Sequence, residues 1–263
     1  MDLHSVGPYL SAVNAFHTDH NVQPTAMGPV MERVRNALLR MQVPLHPMQD
    51  DRRGVPAEVM QELLTHAHDI SLPRVLRLQR SPDRGAKLQP ALQALQDCAA
   101  TVVAYQFCNR PGTAATLQVG DLTVDPPTQL GAAITMKAKR HKGRSLDRQR
   151  DLPIVTVPSA GRPELAHVLR EYIAARCGLF AAKGQPAPGH LWCLPGEGVP
   201  KTAQQTEWLQ RAVALRRRAP PAGFKWTGHS MCKGAASAAS AIGVSLPRVR
   251  YLGGWSPTSA RSM

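Results

Sequence analysis

A chain of 263 residues with 43% hydrophobic side chains is too apolar for a disordered tail and long enough for one large or two small cores. Aromatic residues are only 5%, so those cores must be built mainly from Ala, Leu and Val, which favours helices. The net charge is +14, and residues 130–263 hold 21 Lys/Arg against 6 Asp/Glu while the first half is near neutral, so one basic working region facing a polyanion is expected.

The five cysteines (Cys98, Cys108, Cys177, Cys193, Cys232) form no C-x-x-C pair and no Cys/His cluster of zinc spacing. An odd set without a framework fits a reduced, intracellular protein: nuclear in a eukaryote, otherwise in the cytoplasm or nucleoid. The opening residues do not read as a signal peptide, so none is expected, and no apolar run of about 18 residues is present to cross a membrane.

In chain order, Val6, Tyr9, Leu10, Val13 and Phe16 fall at helical spacing, Pro24 and Pro29 interrupt, and Val30, Val34, Leu38 and Leu39 make a second stripe. Residues 45–53 read as a loop, and Pro56 opens a helix running to about His66. Residues 71–90, with Pro73, Pro82, Gly85 and Pro90 among arginines, read as a linker. Leu92, Leu95, Cys98, Ala99, Val102 and Val103 mark a helix that ends near Asn109, and residues 113–125 suggest a short helix and a turn at Gly120 and Asp121.

Residues 130–136 and 151–157 read as strands flanking the basic run from Lys137 to Arg144, a β-hairpin with a cationic tip. Helices follow at 164–176 and 202–218, the latter ending in Arg216, Arg217 and Arg218, with prolines punctuating loops around Leu191, Trp192 and Cys193. A final helix pair at 229–242 and 247–252 is separated by Gly243, and its small residues from Gly234 to Ala241 suit a helix seated deep against its neighbours. There are no internal repeats.

Three pieces near the C-terminus carry the strongest signal: Thr227-Gly-His-Ser-Met-Cys-Lys-Gly-Ala-Ala-Ser237, Gly243-Val-Ser-Leu-Pro247 and Tyr251-Leu-Gly-Gly-Trp-Ser256. In composition and order they resemble the second conserved box of the tyrosine recombinases, the phage-integrase family. Upstream, Arg110 within Phe107-Cys-Asn-Arg-Pro-Gly-Thr113, followed by Gly120-Asp-Leu-Thr-Val124, resembles the first box. Tyr9-Leu-Ser-Ala-Val-Asn-Ala-Phe-His17 is similar to a run in the family's helical core-binding domain.

The resemblance implies a mainly α fold with a small antiparallel β-sheet: a tyrosine-recombinase (DNA breaking-rejoining enzyme) catalytic core preceded by a small helical, SAM-like core-binding domain. The division would be residues 1–72, a linker at 73–85, and a catalytic-like domain at 86–263. It implies DNA integration and site-specific recombination as the background activity, within a mobile element. Double-stranded DNA would be the partner, held by a homo-oligomer, with no membrane, metal or small-molecule cofactor.

Family chemistry explains the residue types. A tyrosine hydroxyl attacks a backbone phosphate, and negative charge gathers on the non-bridging oxygens in the transition state. Two guanidiniums clamp that charge with bidentate hydrogen bonds, a Lys protonates the leaving oxygen, and a His with a His/Trp assists. By resemblance Arg110 takes the first Arg position, His229 the His and Trp255 the His/Trp. Lys139 is the preferred catalytic Lys, with Lys137 and Lys142 as rivals. Lys137, Arg140, Lys142, Arg144 and Lys233 would contact DNA.

The bland readings are a capping or core His229, a loop Arg110, a packed Trp255 and a merely solvated hairpin tip. Two departures stand out. The second Arg should follow His229 by three residues, where this chain has Cys232; the adjacent Lys233 points roughly 100° away from that direction. The nucleophilic Tyr, expected nine residues after Trp255, would fall just beyond Met263. The chain is therefore expected to be a degenerate recombinase or a fragment truncated before the nucleophile, inactive in strand cleavage as it stands; the alternative is a non-catalytic architectural or regulatory DNA-binding protein.

Overall fold

The computed structural model describes residues 53–81, 84–126, 132–137, 154–159 and 165–253. Chain contacts divide the molecule into two units, residues 1–50 and 51–263, and the described residues all lie in the second. Its elements are α1 (Ala57–His66), a π-helical turn (Ala67–Ser71), α2 (Leu72–Gln79), α3 (Arg84–Gln106), α4 (Pro111–Ala115), a 3₁₀ turn (Val119–Asp121), β1 (Leu122–Val124), β2 (Ala132–Lys137), β3 (Ile154–Ser159), α5 (Leu165–Ala182), α6 (Gln204–Leu215), α7 (Gly228–Ala241) and α8 (Leu246–Gly253). Mainly helical with a small antiparallel sheet, this matches the expected class.

The stretch read as a linker, 73–85, is instead largely helical. Pro73 is the second residue of α2, which continues directly from the π-helical turn, whose ladder ends with the Leu72 N–H on the Ala67 carbonyl; the missing N–H of Pro73 falls where the wider π ladder gives way to the α ladder. Pro90 lies inside α3 on an exposed position. Prolines at these positions punctuate the sequence without ending the helices that carry them.

α3 is the central element. Leu92, Leu95, Ala99, Ala100, Val103 and Ala104 are fully buried, so apolar residues surround it in its second half, as in a helix enclosed by others. It packs against α1, α2, α5, α6 and α7. The sheet order is β1-β2-β3, all antiparallel, with Leu122 opposite Met136 and Met136 opposite Val155. Ala132, Ile134 and Met136 are buried while Ala133 and Thr135 are half-buried, the period of two expected of a strand covered on one face. The predicted hairpin strands are present. β1 was not foreseen, because three residues are too few to show alternation.

Arg176 of α5 is wholly buried. Its Nε donates to the Cys193 carbonyl at 2.9 Å, and its Nη2 donates to the carbonyls of Pro188 and His190, both at 2.6 Å. The guanidinium thus satisfies the backbone of the loop that carries Trp192, whose indole N–H donates to the Ala114 carbonyl at 3.0 Å. Arg176→Leu leaves three carbonyls without their donor and is expected to cost about 3 kcal/mol or more, read as a lowered urea midpoint; an unchanged midpoint would contradict this account.

Candidate nucleic-acid interface

α3 ends in a two-bond turn: the Asn109 N–H reaches the Ala104 carbonyl at 2.8 Å and the Cys108 N–H the Tyr105 carbonyl at 2.9 Å. The turning residue, Cys108, has φ +50°, where glycine is usual, a strain of roughly 1–2 kcal/mol for an L side chain. The turn buries Asn109 and leaves Arg110 extended (φ −66°, ψ 148°), the conformation that a residue before proline favours; Pro111 then opens α4. Arg110 is half-buried at this helix start.

Asn109 also ties the turn to the sheet. Its side-chain amide donates to the Met136 sulfur at 3.2 Å. Lys137, the next residue of β2, pairs with Ile154 at the strand's end. Lys137, where β2 ends, thus stands one residue beyond a side chain bonded to the neighbour of Arg110.

α7 begins where the second box begins. The Ser230 hydroxyl accepts the Thr227 N–H at 3.0 Å, and the Gly228 N–H donates to the Thr206 hydroxyl of α6 at 2.9 Å. A Cβ added at Gly228 would meet Pro111 Cγ at 2.8 Å, so the two boxes touch and only glycine fits between them. His229 is exposed on the first turn, Lys233 half-buried and Cys232 buried. The Cys232 thiol donates to the His229 carbonyl at 3.1 Å. Burial pushes this thiol up, while hydrogen bonding from the backbone and the charges of Arg110 and Lys233 pull the other way. Arg110 precedes Pro111, the residue that meets Gly228 at the start of α7. Cys108 is pushed up to about 11, mainly by burial and also by Cys232.

The segment before α1 seats this helix. Val55 is fully buried, and its N–H donates to the Ser230 carbonyl at 2.9 Å. Gly54 lies against the backbone of Gly234, and the Arg53 guanidinium stands 4.0 Å over the Phe224 ring. Gly54, Val55 and Thr206 escape a reading by motif. The Gly-Val-Pro run at 54–56 was the one available signal, and it reads equally well as a helix entry. Of the other predicted site residues, Lys139, Arg140, Lys142, Arg144 and Trp255 lie outside the described residues, and Lys137 is described only in its backbone. Among the described residues no group of three or more His, Cys, Asp or Glu could hold a metal ion, and no helix is long and apolar enough to cross a membrane.

No protein-family model matches the chain, and no curated protein matches its sequence. Among solved structures, it is similar to the XerH site-specific recombinase bound to difH substrate in a pre-cleavage complex, at 12% identity and a TM-score of 0.49, over 78% of this chain and 48% of that one. It is similar to the same recombinase on palindromic difH substrate in a post-cleavage complex, at 12% identity and a TM-score of 0.48, over 77% and 46% of the two chains. The chain therefore spans about half the length of those structures' chains.

Proposed function

We propose that this chain is a tyrosine-recombinase-like protein that grips duplex DNA through its phosphates and does not cut it. The observation that carries the reading is the meeting of the two sequence boxes: Gly228 against Pro111, with Arg110 beside the helix that bears His229, Cys232 and Lys233. Residues so distant in the sequence gain nothing from motif coincidence by converging in space. The concentration of positive charge in the same half of the chain supports the choice of a polyanion.

In this reading Arg110 offers its planar guanidinium to a phosphate, and the cations of the 137–144 run would add further phosphate contacts. His229 stands at the exposed start of α7, where it can donate to a phosphate oxygen. Lys139, or Lys137 or Lys142, would take the place of the catalytic Lys, and Trp255 would complete the set. Cys232 cannot replace a guanidinium: it is short, buried, uncharged at neutral pH and already bonded to its own helix. Loss of one such donor at a transition state costs about 2–4 kcal/mol, or roughly 10²–10³ in rate, whatever residue serves as nucleophile. Family members' assembly on DNA makes a homo-oligomer on the duplex part of the proposal.

The test is a titration of the whole chain with labelled duplex over a salt series. The wild type is expected to bind with a steep loss of affinity as salt rises. Arg110→Ala should weaken binding to all sequences alike and reduce the slope of log K against log salt by about 0.9. No binding at low salt, or a covalent protein–DNA adduct trapped on a nicked duplex, would overturn the reading.

A further inference from the structure

We propose that Arg216 and Arg217, at the C-terminal end of α6, form a second phosphate-contacting surface along the duplex, with Arg217 its main contact; this rests on the DNA-binding reading above. α6 ends like α3: the Arg218 N–H reaches the Val213 carbonyl and the Arg217 N–H the Ala214 carbonyl, each at 3.0 Å, and Arg217 turns the chain at φ +51°. Glycine is the usual residue there, because an L side chain is crowded in this conformation. Among the described residues the other non-glycine at such an angle is Cys108, two positions before Arg110. A long cation in a conformation that glycine would adopt without strain is a poor choice for the fold alone, which directs attention to what its side chain contacts.

The neighbouring arginines are accounted for by carboxylates. Arg211 donates to Asp97 through Nε at 2.7 Å and Nη2 at 2.8 Å. Arg218 holds Glu62 with two hydrogen bonds, one of them from Nε at 2.8 Å. The charge of Arg216 reaches the same Glu62, which is held low chiefly by Arg218 and also by Arg216. Arg217 is exposed and has no carboxylate partner among the described residues. Among the described residues Arg217 thus has no carboxylate of its own, beside an Arg216 that shares one already claimed.

A phosphate strand fits this surface better than an acidic peptide because of where it lies. Thr206 touches the start of the site helix, and Arg216 follows it by ten residues on the same helix, about 15 Å along the axis. A duplex presents a phosphate on each strand about every 3.4 Å of its length, so one long enough to cover Arg110 has others at this reach.

The experiment measures binding of the full chain to a fluorescent mixed-sequence duplex between about 50 and 200 mM salt, for the wild type, Arg110→Ala, Arg217→Gly and Arg217→Asn, with a melting curve for each. Glycine and asparagine both accept the turn, so these two variants should melt at the wild-type temperature or a few degrees above it. Both should bind more weakly, with a salt slope lower by about 0.9, which narrows the affinity ratio between the two salts by about 3.5-fold. Wild-type affinity and slope in the folded Arg217 variants, alongside weakened Arg110→Ala, would overturn this surface, assign Arg217 to some other partner and leave the DNA-binding reading standing. Melting of both variants well below the wild type would show that Arg217 serves the fold and would also overturn it. No binding by the wild type would overturn both proposals.

Discussion

Gly234→Ala is expected to destabilise the protein by about 3 kcal/mol, lowering the melting temperature by roughly 5–10 °C. Helix propensity alone predicts the opposite sign, because alanine in a helix interior is favoured over glycine by about 0.5–1 kcal/mol. The local contact decides against propensity. A Cβ at position 234 would stand 2.0 Å from the Val55 carbonyl oxygen, 2.8 Å from the Val55 nitrogen and 3.0 Å from Tyr105 Cε2. Two of these are backbone atoms and cannot swing aside as the end of a long side chain would. The 53–55 segment would have to lift away, giving up the hydrogen bond from Val55 to Ser230 and exposing a fully buried valine.

Gly54→Ala should act in the same direction, since its Cβ would lie 2.8 Å from the Gly234 nitrogen and 2.9 Å from its Cα. Urea unfolding of both variants with an unchanged m-value is the measurement. A gain in stability for Gly234→Ala would mean that this approach of segment and helix does not exist.

The second large effect belongs to the hairpin. Changing Lys137, Lys139, Arg140, Lys142 and Arg144 together to glutamine is expected to remove up to about 4–5 from the salt slope of DNA binding. The wild-type loss of affinity between about 50 and 200 mM salt would then shrink by a factor on the order of 10²–10³. The folded core should be unaffected, because β2 is anchored upstream by Ile134 and Met136, which are buried, and by pairing along β1 and β3. An unchanged slope would show that the run is a solvated tip and would move the polyanion contact elsewhere in the basic half.

Much of the helical content was legible because periodicity is local. The stripes ending near Asn109 and those beginning near Gly228 and Gln204 needed only their own residues to be read, and the hairpin strands showed in the change of texture on either side of the basic run. Arg110, His229 and Cys232 could be singled out by spacing and resemblance alone. The stretch at 73–85 misled for the opposite reason: proline content is a local signal, but its meaning depends on where in a helix each proline falls.

What the sequence by itself determined is the helical composition, the cationic half and the chemical identity of the residues in the two converging segments, including a cysteine three positions after His229. What only the tertiary structure decided is the company those residues keep. The three-residue strand β1 exists because β2 offers it a hydrogen-bonded edge. A buried Arg176 is tolerated because three loop carbonyls converge on it. Gly54 and Gly234, far apart along the chain, are both required to be glycine because two backbones meet there. Propensity and charge are properties of single residues and short windows, whereas close packing and hydrogen-bond satisfaction are properties of pairs that the chain brings together only when it folds.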